Sequence, residues 1–82
     1  MFKIGWTERS LSELGKLEYN LSRRIIKKVG ELADDPYSKD IKKLKGIAAF
    51  RLRGGDYRVI FEIYGGAIKI LKVGHRKNIY DR

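Results

Sequence analysis

The sequence predicts an α+β domain in two layers. Its order is βααβββ, with two N-terminal helices packed on one face of a mainly antiparallel four-stranded sheet. Three observations lead there. The apolar period is about 3.6 over residues 8–32 and changes to 2 beyond residue 47. Two glycine pairs, Gly54-Gly55 followed by Asp56 and Gly65-Gly66, punctuate the second part as turns. Finally, 82 residues of which 43% are hydrophobic hold one core and no more, so a single domain spans 1–82.

Each element has its own signal. Phe2, Ile4 and Trp6 alternate with Lys3 and Gly5 as a short first strand. Thr7 is an N-cap residue, and Glu8 complements the start of a helix over 8–18 bearing Leu11, Leu14 and Leu17. Asn20 is placed to cap a second helix, whose apolar stripe is Leu21, Ile25, Ile26, Val29 and Leu32. Arg23, Arg24, Lys27 and Lys28 lie mostly on the other side, a solvated face with acidic neighbours such as Glu31. Asp34-Asp35-Pro36 ends that helix, because the residue before proline is pushed out of the α region. Residues 36–47 read as a polar, lysine-rich connection. Phe50 and Leu52, then Tyr57, Val59, Phe61 and Ile63, then Ile68, Ile70 and Leu71 mark three strands, the last reaching about Val73.

Composition excludes several classes of function. There is no cysteine, hence no disulfide and no thiolate metal site, and one histidine cannot build a multi-histidine zinc site. The first six residues have no apolar run of signal length, and nothing approaches the roughly 18 consecutive apolar residues of a membrane helix. The expectation is a cytoplasmic protein without membrane contact. The charge is the open question: net +9, pI near 10. It is unevenly spread. Residues 1–41 carry eight Lys/Arg against seven Asp/Glu, net +1, whereas residues 42–82 carry eleven against three, net +8. A localised basic half asks for a polyanion, and nucleic acid is the commonest.

Alternation turns that charge into a surface. If the helices cover the face with Phe50, Leu52, Val59 and Phe61, the opposite face shows Arg51, Arg53, Arg58 and Glu62. A lone arginine on a sheet is ordinarily a solvated residue. Several together form a set of planar, permanently charged groups that grip phosphate oxygens bidentately.

The segments Leu44-Lys45-Gly46, Phe50-Arg51-Leu52-Arg53-Gly54-Gly55-Asp56-Tyr57-Arg58-Val59-Ile60-Phe61 and Val73-Gly74-His75-Arg76-Lys77-Asn78-Ile79-Tyr80 resemble the RelE family. These are toxins of bacterial and archaeal toxin–antitoxin pairs, within the wider RelE/ParE superfamily. Trp6-Thr7-Glu8 and Asp35-Pro36 extend the resemblance over essentially the whole chain. It implies a ribosome-dependent, metal-independent endoribonuclease that needs no cofactor. Such a toxin cuts mRNA in the ribosomal A site by attack of the ribose 2′-hydroxyl on the adjacent phosphate. It implies phosphate stabilisation by Arg58, phosphate stabilisation or acid catalysis by Arg76, and base stacking with proton transfer by Tyr80. Arg51 falls where a basic residue often stands on the preceding strand. Arg53, Lys42, Lys43, Lys45 and Lys77 are candidates for contact with mRNA or ribosomal RNA phosphates. His75 has a side chain suited to acid–base work, or else it orients the tail through a backbone hydrogen bond. Tyr80 packing the chain end against the core is the plainer reading of that residue.

The family's further lysine, two positions before Arg51, is here Ala49. The general base is therefore open among Tyr80, His75, Glu62 and a neighbouring basic residue. The partner implied is an acidic antitoxin of the RelB type. Two alternatives remain: a ParE-like inhibitor of DNA gyrase, and a catalytically decayed toxin that only binds antitoxin or nucleic acid.

Overall fold

A computed structural model of the chain describes residues 1–46 and 48–79. Its elements are β1 (Lys3–Trp6), α1 (Glu8–Gly15), α2 (Tyr19–Leu32), β2 (Ile41–Lys43), β3 (Phe50–Arg53), β4 (Tyr57–Tyr64) and β5 (Ala67–His75). The sheet has five strands, one more than the period of the sequence predicts, in the order β1-β5-β4-β3-β2. The extra strand is β2, three residues within the lysine-rich connection, too short and too polar to show a period of 2. β3, β4 and β5 form the expected antiparallel meander, and β1 pairs parallel to β5 at the far edge.

Helix boundaries also differ from expectation. Thr7 caps α1 as predicted: its hydroxyl oxygen accepts from the Ser10 amide at 3.1 Å. The same hydroxyl donates to the Ile70 carbonyl at 2.8 Å, so one side chain both starts the helix and ties it to β5. α1 stops at Gly15, and α2 is capped by Glu18 instead of Asn20, the Glu18 carboxylate accepting from the Asn20 amide at 3.0 Å. Glu18 performs the same chemistry two residues earlier.

One core lies between the helices and the sheet. It joins Leu21, Ile25, Val29 and Leu32 of α2 to Leu52, Tyr57, Val59, Phe61, Ile68, Ile70 and Val73. Phe50 stacks on Phe61 at 5.6 Å between ring centres. Leu11 and Ile26, placed by spacing in the apolar stripes, are about half exposed, so each stripe is narrower than its sequence.

β5 departs from regular alternation at one point. Ile60 faces Lys72 but Phe61 faces Ile70, a β-bulge in the β4–β5 pairing. Ile70 and Val73 therefore both point toward the helices although they are three residues apart. α1 braces this irregularity: Thr7 holds the Ile70 carbonyl, and the Glu13 carboxylate accepts from the Val73 amide at 3.0 Å.

Candidate functional site

The other side of the sheet is built from residues that share a face by cross-strand register. Lys42, Arg51, Ile60 and Lys72 form one row across β2, β3, β4 and β5. Arg53, Arg58 and Gly74 form the next, and Glu62 faces Lys69 beyond. Arg53 and Arg58 stand directly opposite one another. Like charges in that position repel, a cost that a bound anion removes.

This side is not a bare charged surface. Leu44, Ala49 and Ile60 are buried together, with Leu71 and Ile79 packed against them. The cations surround a small apolar patch. Ile79 reaches it because Gly74 has no side chain: a Cβ there would lie 3.1 Å from the Ile79 Cδ1. The segment 76–79 therefore brings Ile79 back over the arginine side.

The β3–β4 turn orients two of the arginines. The Arg58 Nη1 donates to the carbonyls of Gly54 at 2.9 Å and Tyr57 at 2.8 Å. Arg76 donates its backbone amide to the Asp56 carbonyl at 3.1 Å and its Nη1 to the Gly55 carbonyl at 3.4 Å. Three carbonyls of one turn thus steer the two guanidinium groups, and a fourth, of Asp56, holds the Arg76 backbone. The turn needs glycine at its start: a Cβ on Gly54 would collide with the Tyr57 ring, which is buried beside it. It is braced from the helix layer by Arg24, whose Nη2 donates to both Asp56 carboxylate oxygens at 3.0 and 2.8 Å. That hydrogen bond holds the Asp56 carboxyl below its usual range and raises Arg24. Burial pushes the Tyr57 phenol up.

The structure gathers some of the sequence-derived candidates and separates others. Arg51, Arg53, Arg58 and Lys42 share the open side, and Arg76 comes to the turn at its end. His75 stands opposite Tyr57 in the register, which places it on the helix side, and its Nδ1 accepts from the Lys77 amide at 3.3 Å. Glu62 is four residues from Arg58 along β4, about 13 Å at strand rise, and hydrogen bonding to it pushes the Tyr64 phenol up. Neither lies beside the arginine row. Lys43 faces the helix side with Phe50, while Lys45 and Lys77 are exposed on turns. Tyr80 lies outside the described residues.

Two features of the site escape the sequence reading. One is the apolar patch, since Ile60 reads as an outward position on β4. The other is Lys72, which enters the Arg51 row only because of the bulge. The signal for it is the spacing of Ile70 and Val73: two inward residues three apart in one strand require an extra residue between them.

With this geometry in view, the comparisons are consistent. Residues 4–80 match the family described as the ParE toxin of type II toxin–antitoxin systems, parDE. A 43-residue segment is 49% identical to Toxin RelE3 of Methanocaldococcus jannaschii, covering 51% of this chain and 49% of that protein. The chain thus matches about half the length of that curated relative. Among solved structures, it is similar to the RelB–RelE antitoxin–toxin complex from Methanococcus jannaschii, with 31% identity and a TM-score of 0.77 over 94% of this chain and 95% of that one. It is also similar to the toxin–antitoxin complex RelBE2 from Mycobacterium tuberculosis, with 25% identity and a TM-score of 0.84 over 92% and 98%.

Proposed function

The chain belongs to the RelE/ParE family of type II toxins, and from that premise we propose that it is a ribosome-dependent endoribonuclease that cuts mRNA in the A site. The observation that carries this reading is the arginine row. Arg53 and Arg58 are held opposite each other, with Arg51 and Lys42 on the same side and Arg76 at the shared turn.

The reaction needs charge stabilisation at one phosphate. The 2′-hydroxyl of the substrate's own ribose loses its proton to a general base as its oxygen bonds to phosphorus, and the bond to the 5′ oxygen breaks with that oxygen taking up a proton. Negative charge rises on the phosphoryl oxygens in between. Guanidinium groups fixed in advance stabilise that charge without reorganising during the step. Arg58 and Arg76 are fixed by turn carbonyls, so they are assigned to the reacting phosphate. Arg51 and Arg53 bind it or its neighbour, and Tyr80 takes the stacking role on an unpaired base, worth about 1–3 kcal/mol by alanine substitution. An 82-residue chain leaves little surface for substrate selection, so positioning falls to the ribosome.

The partner is an acidic, RelB-like antitoxin, supported by the two solved relatives, each of them in complex with its antitoxin. Its charge suits the basic half of this chain.

The test uses translating ribosomes programmed with a defined message. The wild type is expected to produce cuts at fixed codon positions. Arg58→Ala and Arg76→Ala should each slow cleavage by roughly 10²–10³-fold, the scale for removing one fixed donor to a developing oxyanion. A wild type that leaves the message intact but inhibits gyrase supercoiling would move the chain to the gyrase-directed reading.

A further inference from the structure

We propose that the outward face of α2 is a second phosphate-binding surface, on which Arg23 and Lys27 dock the domain to ribosomal RNA while the sheet side holds the message. The inference rests on the ribonuclease reading above. It deepens that reading by naming where the domain grips the ribosome, away from the residues that meet the cut strand.

The sequence presents the four cations of α2 as one solvated face, and the structure divides them. Arg24 is held by both Asp56 carboxylate oxygens at 3.0 and 2.8 Å. Lys28 is held by Glu31 at 3.4 Å and Asp40 at 3.9 Å. Among the described residues, Arg23 and Lys27 form no ion pair, and both are exposed. They stand four apart, so they are neighbours on the helix surface. With Asn20 and Arg24 they complete an i, i+3, i+4, i+7 face and line an open cavity of about 300 Å³. The buried stripe of Leu21, Ile25, Val29 and Leu32 lies on the other side of the helix. Glu18, at the start of α2, is engaged with the Asn20 amide.

Arg23 is held in place without being neutralised. Its guanidinium lies over the Tyr19 ring, 5.6 Å from the ring centre. Stacking fixes the plane of the group and leaves its N–H edge for an anion. One turn beyond Lys27 stands Gly30, exposed, where an added Cβ would meet nothing within 4 Å. Glycine weakens a helix interior, and no neighbour within the chain requires it here. It leaves bare surface beside the cations, open to close approach by a backbone from outside.

The lining of this cavity is wholly polar. A protein partner needs an apolar centre to bury, whereas a phosphate backbone needs only donors and positive charge. The message is not the RNA concerned, because a strand seated on Arg58 has the sheet between it and Arg23 and Lys27. The RNA that meets the helix side of a domain lodged in a ribosome is ribosomal. Contacts to its backbone fix orientation without reading sequence. The same helix face also reaches the catalytic turn: Arg24 holds Asp56 from the helix layer, and Arg76 reaches the neighbouring Gly55 carbonyl. Docking on α2 thus sets the position of the turn that orients Arg58 and Arg76.

The experiment measures binding to vacant small ribosomal subunits, with neither message nor antitoxin present, from about 50 to 200 mM salt. Wild type is compared with Arg23→Gln/Lys27→Gln and with Lys3→Gln/Lys39→Gln, which removes the same charge from exposed residues elsewhere. Circular dichroism confirms that each is folded. The helix variant is expected to bind about tenfold more weakly or worse, with the log–log salt slope reduced by about 2, roughly 1 for each cation removed. The control variant should stay close to wild type. On programmed ribosomes the half-saturating concentration should rise by the same factor, while the single-turnover cleavage rate at saturation stays within about twofold. Wild-type affinity and slope in the helix variant would overturn the proposal, as would an equal loss in the control. A loss confined to subunits that carry a message, or to antitoxin binding, would overturn it too. If wild type binds subunits through these residues but cuts no message, the docking surface stands and the ribonuclease reading fails. If wild type has no affinity for ribosomes, both fail.

Discussion

The two sides of the sheet solve different problems with adjacent residues. On the helix side, Val59 and Phe61 join a continuous core with α2 and are fully buried. On the other side, Arg58 and Ile60 sit in a mosaic, a small apolar patch ringed by like charges. The first arrangement is stable by itself. The second is stable only because the first holds the strands in register, since Arg53 opposite Arg58 contributes repulsion. The difference teaches where function is located: one layer carries the folding energy, and the strained electrostatics are placed on the layer that meets a partner.

Adjacent residues sharpen this comparison most. Phe61→Ala should destabilise the protein by about 3–5 kcal/mol and Ile60→Ala by about 2 kcal/mol, measured by urea unfolding, because the patch on the open side is smaller and relaxes more readily. Equal losses would mean that the open side is as much a folding core as the helix side. A smaller effect on stability with a larger one on function is expected at the turn. Gly54→Ala forces the Tyr57 ring to shift, about 1–3 kcal/mol of overpacking, and displaces the carbonyls that orient Arg58 and Arg76. Cleavage should fall at least tenfold under conditions where the variant remains folded, read by single-turnover assay on programmed ribosomes. The mildest change is Asp56→Asn. The Asp56 carboxyl titrates below its unfolded value, so the Arg24 contact contributes stability that is present above about pH 4 and is lost as pH falls through the lower folded value. Between neutrality and pH 2, the wild type should lose this contribution while the Asn variant does not. Parallel unfolding curves for the two proteins would show that the exposed ion pair orients the turn without stabilising it.

Local pattern determined a good deal here. Alternation from Tyr57 to Ile63 settles which residues of β4 face the helices, and with them the side on which Arg51, Arg53 and Arg58 stand. Thr7 as a cap and the two glycine turns follow from side-chain chemistry within four residues. These features depend on neighbours along the chain, and so they are legible from it. What only the tertiary structure decided depends on neighbours across space. β2 exists because β3 offers an edge. β1 runs parallel because it pairs with β5 after the helices return the chain, and His75 lies on the helix side because its register is opposite Tyr57. The bulge that turns Lys72 toward the arginines is held by Thr7 and Glu13, more than fifty residues earlier in the sequence. A period of 2 predicts which face a side chain takes only while pairing is regular; one extra residue reverses it, and that residue is set by the strand opposite.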